Sequence, residues 1–249
     1  MTDPVVGVVC ALRSEARHLS RTLAGQAGVQ SLPDGSLLTI TGPGLAAAAA
    51  GAERLFTAGA TSLISWGMAG GLDPQLSPGD LLLPAEISCA DGPVFMTDAR
   101  WRAQLAASLS ALQPQACGRL FSARAPVPSA AAKADLWGAG ACAVDMESSA
   151  VAALCERRRL PFIVIRAIID DAATELPAAL AAATRADGRI SAWAVLKCLL
   201  REPAQLRVLL QLARAYAAAN RTLAAVARRG PLRPLARAPG SSLAAGGVQ

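Results

Sequence analysis

Histidine, aromatic residues and charged residues are all scarce in this chain of 249 residues. Aromatic residues make up 4% of the sequence and charged residues 17%. The single histidine, His18, follows the first strand on a charged helix, and we expect it at the surface. Imidazole-dependent triads are therefore excluded, and a metal site lacks ligands. The net charge of +6 is not accompanied by an RNA-binding signature, so we expect no nucleic-acid partner.

Paired cysteines and long apolar runs are also missing. The six cysteines are scattered and contain no C-x-x-C pair, which argues against a zinc knuckle or a redox dithiol and favours a reducing compartment. No apolar stretch approaches the roughly 20 residues of a membrane-spanning helix. The first apolar run, 5–12, follows Asp3 and lacks a basic region before it, so it indicates a strand and not a signal peptide. We expect a cytoplasmic protein.

Apolar residues, by contrast, make up 53% of the chain, and its mean hydropathy is +0.37. This length and composition suit one large domain with a well-filled core. Short β-branched runs alternate with helical patterns along the chain, with strands over 5–10, 37–41, 62–66 and 162–169 and helices over 45–58 and 148–159. The alternation predicts an α/β fold with a mixed, mainly parallel central sheet, whose ligand sites lie beyond the carboxyl ends of the strands.

The C-terminal region has a different pattern, with helices predicted over 190–200 and 203–228. An apolar stripe runs along the second helix, and arginines recur beside it every seven residues, from Arg207 to Arg228. The stripe consists of Leu206, Leu210, Ala213 and Ala217. The arginine row is most simply a solvated face or an oligomer rim. We predict one domain over 1–228, with 189–228 as a helical C-terminal extension, and a disordered Pro/Gly/Ala/Ser-rich tail over 229–249.

Three predicted strand ends carry residues suited to catalysis. They are the glycine-rich loop 67–71, the pair Met146-Glu147, and the segment Arg166 to Asp170. Each alone has an ordinary explanation: an aspartate after a strand often caps a helix, a glutamate in a first turn complements the helix dipole, and methionines fill cores. Arg166 inside an apolar strand needs a carboxylate partner or a ligand. Only the combination indicates a site.

In this order, and together with Gly79-Asp80 and the sequence Val144-Asp-Met-Glu-Ser148, these segments resemble the superfamily of purine nucleoside phosphorylases and methylthioadenosine nucleosidases. The C-terminal half, from Asp187-Gly-Arg-Ile190 to Arg214, and the segment ending at Lys133 look like the hopanoid-associated phosphorylases. These are bacterial proteins implicated in removing adenine from adenosylhopane. The resemblance extends to about Leu223. It implies a three-layer nucleoside phosphorylase-like fold, a homo-oligomer, and no cofactor, with inorganic phosphate as an alternative co-substrate to water.

The resemblance also implies catalytic roles. Cleavage of an N-glycosidic bond builds negative charge on the departing purine, so the base must be protonated as it leaves. Asp170 matches the acid at purine N7, and burial or a hydrogen bond must hold its proton. Glu147 matches the residue that accepts hydrogen bonds from the ribose 2′ and 3′ hydroxyls. Met146 matches the methionine under the ribose, and Glu15 the glutamate that activates the attacking water in nucleosidases.

Further positions follow from the same comparison. Met68 and Gly70 face the sugar or phosphate, Val127 lies near the base, and Arg166 contributes either to substrate binding or to a structural ion pair. Several phosphorylases carry an arginine two residues before the glycine-rich loop, where this chain has Ser65. Arg13 and the amides around Gly44, at a helix N-terminus, are substitute phosphate ligands. Water and phosphate both remain open as nucleophiles.

Other functions compete with adenine release from adenosylhopane. The nearest is a nucleosidase acting on methylthioadenosine or adenosylhomocysteine. The segment from Gly42 to Ala47 also fits a G-x-G-x-x-A dinucleotide fingerprint, but Ser65 and Trp66 stand where that motif needs an acidic residue. A non-enzymatic scaffold is disfavoured because Glu15, Glu147 and Asp170 are all retained. A hopanoid substrate would lie in a bilayer, so the arginine-bearing helices would contact the inner membrane surface peripherally.

Overall fold

The computed structural model describes residues 4–20, 28–90, 92–175, 205–229 and 232. The predicted helix over 190–200 lies outside the described residues, as does the predicted tail except for residues 229 and 232. The extents of the domain, the extension and the tail therefore stay predictions. Within the described parts, no helix is both long and apolar enough to cross a bilayer.

Strands and helices alternate through most of the described chain. The strands are β1 (Val6–Cys10), β2 (Val29–Ser31), β3 (Leu37–Ile40), β4 (Ser62–Gly71), β5 (Leu81–Leu82), β6 (Glu86–Ser88), β7 (Phe95–Met96), β8 (Arg119–Ser122), β9 (Ala143–Asp145) and β10 (Phe162–Asp170). The helices are α1 (Arg13–Ala16), α2 (Leu45–Thr57), α3 (Ala99–Ser108), α4 (Ala130–Gly138), α5 (Ser148–Arg158) and α6 (Gln205–Arg228). A single 3₁₀ turn, Ser110–Leu112, follows α3.

All ten strands belong to one mixed sheet in which β4 is central. The order runs β2-β3-β1-β4-β9-β8-β6-β7, and β10 lies against β4 as well. β4 pairs in parallel with β1 and β10, while its last residues, Gly70 and Gly71, pair antiparallel with β9. The predicted α/β fold with a mixed central sheet is confirmed. The length of β4 lets one strand end meet both β9 and β10, where the candidate site residues lie.

Helices cover both faces of the sheet, which produces three layers. On one face, α2 and α5 contribute buried residues such as Leu55, Val151 and Leu154. On the other, α3 and α6 contribute Trp101 and Leu223 among others. The sheet between them is buried on both sides, and its strand β10 is buried along nearly its whole length, as its unbroken apolar sequence predicts.

Helix α6 packs over β10, and the apolar stripe noted in the sequence does not form the packed face at Leu210 and Ala213. Leu210 is 49% exposed and Ala213 is also exposed, whereas Ala219, Leu223 and Val226 are fully buried. Apolar residues occur on several sides of this alanine-rich helix, so periodicity does not single out one face. The face is instead selected by a close approach between the helix and the turn at Gly79.

Two contacts define how α6 is held. A Cβ placed on Gly79, which has φ +99°, would lie 3.1 Å from the Cβ of Ala218, so a larger residue would push the helix away. At the other side of the helix, the buried Oδ1 of Asn220 lies 2.9 Å from Nε2 of His18 and accepts a hydrogen bond from Arg17 at 3.3 Å. His18 is therefore half-buried under α6, and the prediction of a surface histidine was wrong.

The cysteines are less scattered in space than in sequence. Cys117 and Cys142, 25 residues apart, meet sulfur to sulfur as a disulfide. They precede β8 and β9, which are neighbouring parallel strands, so their starts lie side by side. Cysteine spacing along the chain did not predict this contact.

Candidate active site

Glu15 lies on the short helix α1, directly after the carboxyl end of β1. Its side chain is buried, and its carboxylate accepts two backbone hydrogen bonds, from Leu12 at 3.0 Å and from Met68 at 2.9 Å. The second bond joins α1 to the glycine-rich end of β4. Gly67 allows this approach, because a Cβ there would lie only 2.8 Å from Oε1 of Glu15.

Burial raises the pKa of Glu15, although Arg166 and the two amides oppose the shift. A carboxylate with a raised pKa is a stronger base than a solvated one, because its protonated form is less disfavoured. Glu15 is therefore held in a fixed orientation by two amides, and burial makes its carboxylate more basic than a solvated one.

Glu147 lies at the N-cap position of α5, immediately after β9. It is 9% exposed, and its two oxygens accept the N–H of Gly44 at 2.9 Å and of Met146 at 3.2 Å. Gly44 has φ +100°, a conformation that favours glycine, and this aims its amide at the carboxylate. The amide considered for phosphate thus donates to Glu147 here. Burial, helped by the neighbouring Asp145, raises the pKa of Glu147 to about 7.

Arg166 occupies the middle of β10 and is 2% exposed. Its Nε and Nη2 donate to Oδ2 of Asp145 at 3.0 and 2.7 Å, and Nη2 also donates to Ser65 at 2.8 Å and Ser148 at 3.1 Å. Oε2 of Glu147 lies 3.9 Å away. Burial alone disfavours the guanidinium charge, but the carboxylates of Asp145, Glu147 and Glu15 outweigh it and raise the pKa of Arg166.

Asp145 is a residue that sequence reasoning left without a role. Besides binding Arg166, its carboxylate accepts hydrogen bonds from the hydroxyls of Ser122 and Ser148 and from the backbone of Glu147 and Ser148. It thereby fixes the backbone that presents Glu147. The available signal was Arg166 itself, since an arginine in a buried strand requires a carboxylate on an adjacent element.

Asp170 ends β10 opposite Gly70 of β4 and is buried. Its Oδ2 accepts a hydrogen bond from Nζ of Lys133 on α4. Its Oδ1 lies over Gly70, where an added Cβ would approach it to 3.2 Å. Burial raises the pKa of Asp170, while the hydrogen bond and charge of Lys133 oppose the rise. Lys133 appeared in the sequence comparison without a role, and only the fold places it on Asp170.

The remaining predicted residues differ in how close they come to these carboxylates. Met68 and Met146 are half-buried and donate their amides to Glu15 and Glu147. Val127 is half-buried and packs on a small apolar cluster around Leu72 and Val144. Arg13 is exposed on α1. Groups of three His, Cys, Asp or Glu side chains able to hold a metal ion are absent from the described residues.

Gly70 lies between the strand that ends at Asp170 and the strand that precedes Glu147. It pairs with Asp170 on one side of β4 and with Val144, three residues before Glu147, on the other. Glu15, Glu147 and Arg166 are close enough to affect one another's charge, while Met68 donates to Glu15 and Gly44 donates to Glu147. Two buried carboxyl groups with raised pKa thus flank one glycine-rich strand end, while a third binds its backbone.

Comparison with known proteins identifies the family. The family model of the phosphorylase superfamily matches residues 7–201, and the chain belongs to this superfamily. This membership confirms the prediction of an enzyme of the nucleoside phosphorylase and nucleosidase type. No curated protein matches the chain significantly in sequence.

Solved structures share the fold at low identity. A 5′-methylthioadenosine/S-adenosylhomocysteine nucleosidase from Helicobacter pylori is 17% identical, with a TM-score of 0.64 over 92% of this chain and 99% of that one. The corresponding nucleosidase from Colwellia psychrerythraea is 23% identical, with a TM-score of 0.62 over 71% and 86%. Futalosine hydrolase from Helicobacter pylori is 16% identical, with a TM-score of 0.64 over 91% and 95%.

Proposed function

We propose that this enzyme cleaves the N-glycosidic bond of a purine nucleoside and releases the base. The observation that carries the proposal is a pair of buried carboxyl groups near Gly70 of β4. Asp170 pairs with Gly70 on one side, and Glu147 follows three residues after Val144, which pairs with Gly70 on the other. In this proposal Glu147 binds the ribose and Asp170 protonates the base, and cleavage of the bond between them requires both functions. Similar folds in nucleosidases and a futalosine hydrolase support the reaction class.

Asp170 acts as the acid for the leaving base. The departing purine accumulates negative charge as the bond to C1′ breaks, and a proton delivered to N7 neutralises it. Burial raises the pKa of Asp170, so its protonated form persists to a higher pH than that of an exposed aspartate. Its Oδ1 is the oxygen nearer to Gly70 at the glycine-rich end of β4, since a Cβ added there would lie 3.2 Å from Oδ1 and 3.7 Å from Oδ2.

Glu147 binds the ribose diol. Each of its oxygens already accepts one backbone N–H, from Gly44 or Met146, which fixes the plane of the carboxylate. A carboxylate oxygen has more than one acceptor direction, so both oxygens retain capacity for the 2′ and 3′ hydroxyls. As the sugar becomes cationic in the transition state, the charge of Glu147 also stabilises it.

We propose water as the nucleophile, activated by Glu15. Arg166 is the buried cation of this cluster, and the carboxylates of Asp145, Glu147 and Glu15 all act on it. Its guanidinium is already bonded to Asp145, Ser65 and Ser148. An incoming phosphate would meet this excess of negative charge, whereas water would not. Phosphate bound through Arg13 and Gly44 is the competing arrangement.

The choice of nucleophile is tested by product analysis. Purified enzyme is incubated with a purine nucleoside in phosphate-free buffer and with added phosphate, while adenine and the sugar product are measured. We expect equal rates and a free ribosyl product in both buffers. A rate that requires phosphate, with a sugar 1-phosphate as product, contradicts hydrolysis and favours phosphorolysis.

For the substrate, we propose adenosylhopane. The support is the likeness of the C-terminal half to the hopanoid-associated phosphorylases, together with Arg214, Arg221 and Arg228, which are exposed on α6 opposite its buried face. These arginines would bring the enzyme to an anionic bilayer surface that holds a hopanoid. Methylthioadenosine and adenosylhomocysteine are the alternative substrates, because nucleosidases for them share the fold.

Direct competition separates these substrates. The enzyme is supplied with adenosylhopane in vesicles, methylthioadenosine and adenosylhomocysteine, and adenine release is compared. We expect the highest kcat/KM for adenosylhopane. If adenine is released only from methylthioadenosine and adenosylhomocysteine, the enzyme is a nucleosidase for these two substrates.

Contact with a membrane surface is tested by flotation with anionic vesicles at low salt. The wild type should float with the vesicles, and the variant R214Q/R221Q/R228Q should stay in solution. We also predict a homo-oligomer, which light scattering would detect, and a cytoplasmic location, which cell fractionation would test.

The catalytic roles are tested by Asp170→Asn, with Asp171→Asn as a matched control at the next position. General acid catalysis contributes about 10²- to 10⁴-fold, so Asp170→Asn should reduce kcat by this order. Asp171 accepts hydrogen bonds from Thr174 through Oδ1, an interaction that asparagine can retain, so the control should remain within about threefold of wild type. Equal rates for Asp170→Asn and wild type would remove Asp170 from the mechanism.

A further inference from the structure

Lys133 is one of the most deeply buried charged side chains in the described chain, with 1% of its surface exposed. From α4 its Nζ donates to Oδ2 of Asp170, to the carbonyl of Asp171 at 2.7 Å and to the carbonyl of Thr174 at 3.1 Å. Burying an ammonium group is costly unless it is paired and its hydrogen bonds are satisfied. Here all three N–H groups have acceptors, and the pairing carboxylate is the one proposed to protonate the base.

The contact makes the two oxygens of Asp170 different. Oδ2 accepts the hydrogen bond from Lys133, whereas Oδ1 is the oxygen closer to Gly70, 3.2 Å against 3.7 Å from a Cβ added there. Lys133 therefore fixes the rotation of the carboxyl group and directs one oxygen toward the proposed base site. The two carbonyl bonds extend this constraint to the chain after β10, so the ammonium and the carboxyl group are held in one rigid unit.

We propose that Lys133 is a positioning residue that acts through Asp170: it aims Oδ1 at the leaving purine and stabilises the carboxylate that forms on proton transfer. This inference rests on the proposed function. As the C1′–N9 bond breaks, its electron pair goes to the purine, and the proton on Oδ1 moves to N7. Asp170 becomes negative beside the Lys133 ammonium. Water loses a proton to Glu15, and its oxygen bonds to C1′ to give the free sugar. Solvent exchange then resets both carboxyl groups.

The charges around Asp170 agree with this role. Burial raises the pKa of Asp170, the hydrogen bond and charge of Lys133 lower it, and the neighbouring Asp171 raises it. Lys133 thus makes a buried, weak acid into a stronger one without removing it from its site. Without the ammonium, Asp170 would stay protonated to higher pH but would release its proton less readily.

The test compares Lys133→Met with wild type on two substrates that differ in whether the leaving group needs a proton. With a purine nucleoside, kcat should fall by at least ~10-fold, a part of the ~10²- to 10⁴-fold that general acid catalysis contributes. With 4-nitrophenyl β-D-riboside, whose leaving group departs as a stable anion without a proton, the same variant should remain within about threefold of wild type. Structural damage to the site would lower both rates together.

The pH profile supplies a second readout. Activity that requires protonated Asp170 is lost as pH rises through the pKa of Asp170. Because Lys133 lowers that pKa, Lys133→Met should move the alkaline limb for purine release to higher pH while lowering the plateau. In D170N/K133M the purine rate should be no lower than in Asp170→Asn, since Lys133 acts through Asp170.

Thr174→Val is the matched control, because it removes a hydroxyl bonded to Asp171 in the same turn without changing charge. It should leave the alkaline limb in place. If Lys133→Met does not fold, Lys133→Gln, which retains N–H donors but no charge, should show the same leaving-group dependence. Wild-type purine release by Lys133→Met, or an equal loss with both substrates, overturns this inference alone. Failure of the wild-type enzyme to release any purine overturns the proposed function instead.

Discussion

Arg166 and Asp145 form the buried ion pair around which the carboxylates of the site are arranged. Their side chains are 2% and 0% exposed, and the guanidinium is bonded to Asp145 through two nitrogen atoms. Asp145 in turn binds the backbone amides of Glu147 and Ser148. The pair therefore does more than satisfy a buried arginine, because the position of the ribose-binding glutamate depends on it.

Asp145→Asn should lower the free energy of unfolding by about 3–5 kcal/mol, because it leaves a buried guanidinium without its carboxylate. Urea denaturation measures this change. Glu53→Gln is the control, since Glu53 pairs with Arg158 at 3.0 Å where both side chains are 46% exposed. An exposed pair contributes about 0–1 kcal/mol, so equal losses in the two variants would contradict a structural role for Asp145.

Glu147 should make substrate binding depend on pH in the neutral range. Its pKa of about 7, raised mainly by burial, means that it gains a proton as pH falls from 8 to 6. Protonation removes acceptor capacity for the ribose hydroxyls, so KM should rise as pH falls. The pH dependence of kcat should instead reflect the protonation of Asp170. Steady-state kinetics on wild type and Glu147→Gln check this. The variant should have a high KM that is independent of pH in this range, and a wild-type KM that does not change would reject the assignment.

At the scale of elements, the long strand β4 explains why residues distant in the chain meet. Its parallel partners β1 and β10 deliver Glu15 and Asp170 to one end, and its antiparallel partner β9 delivers Glu147 to the same place. Helix α6 stabilises this arrangement from outside by packing on β10. The stability of the helix contact therefore bears on how firmly Asp170 is held.

Leu223→Ala and Leu210→Ala should have different effects although both shorten a leucine of α6. Leu223 is fully buried against the sheet, so its truncation leaves a cavity and should cost about 2–5 kcal/mol of unfolding free energy. Leu210 is 49% exposed and should change stability by less than about 0.5 kcal/mol. Thermal or urea unfolding measures both. Similar losses would contradict the packing of α6 through Leu223.

At the scale of the molecule, three buried carboxyl groups affect the pH dependence of stability. Glu15, Glu147 and Asp170 all have pKa values raised above their ordinary range, with burial as the main cause. In the window between the ordinary and the raised values, the folded state binds protons that the unfolded state has released. Their contribution to stability is therefore full below the ordinary pKa and is lost as pH rises through the raised one.

We expect the Tm of the wild type to fall between pH 5 and pH 8 more steeply than that of E15Q/E147Q, which lacks two of these groups. For Glu147, the rise from 4.5 to about 7 corresponds to a contribution on the order of 3 kcal/mol. Scanning fluorimetry across this range measures the difference, and Glu53→Gln, an exposed change, should follow the wild type. Parallel curves for the double variant and the wild type would contradict the raised pKa values.

Much of the fold and part of the site follow from local sequence. The strand at β10 was predicted because an unbroken apolar run can be buried on both faces, and alternation of such runs with helices predicted the mixed α/β sheet. Asp170, Glu147 and Glu15 were selected because they match functional positions of the family that the sequence resembles, and each follows a predicted strand, where ligand sites of such a sheet lie. These inferences need only the order of residues along the chain.

Local sequence is therefore enough to indicate the class of fold, the family and the strand ends at which chemistry can occur. It takes the folded chain to show which carboxylate pairs with Arg166, that Lys133 lies on Asp170, which face of α6 is buried, and that Cys117 meets Cys142. The difference arises from separation along the chain. Hydrogen-bonding and apolar preferences act between neighbours along the chain, whereas ion pairs and packing faces depend on segments that come together only when the sheet has formed.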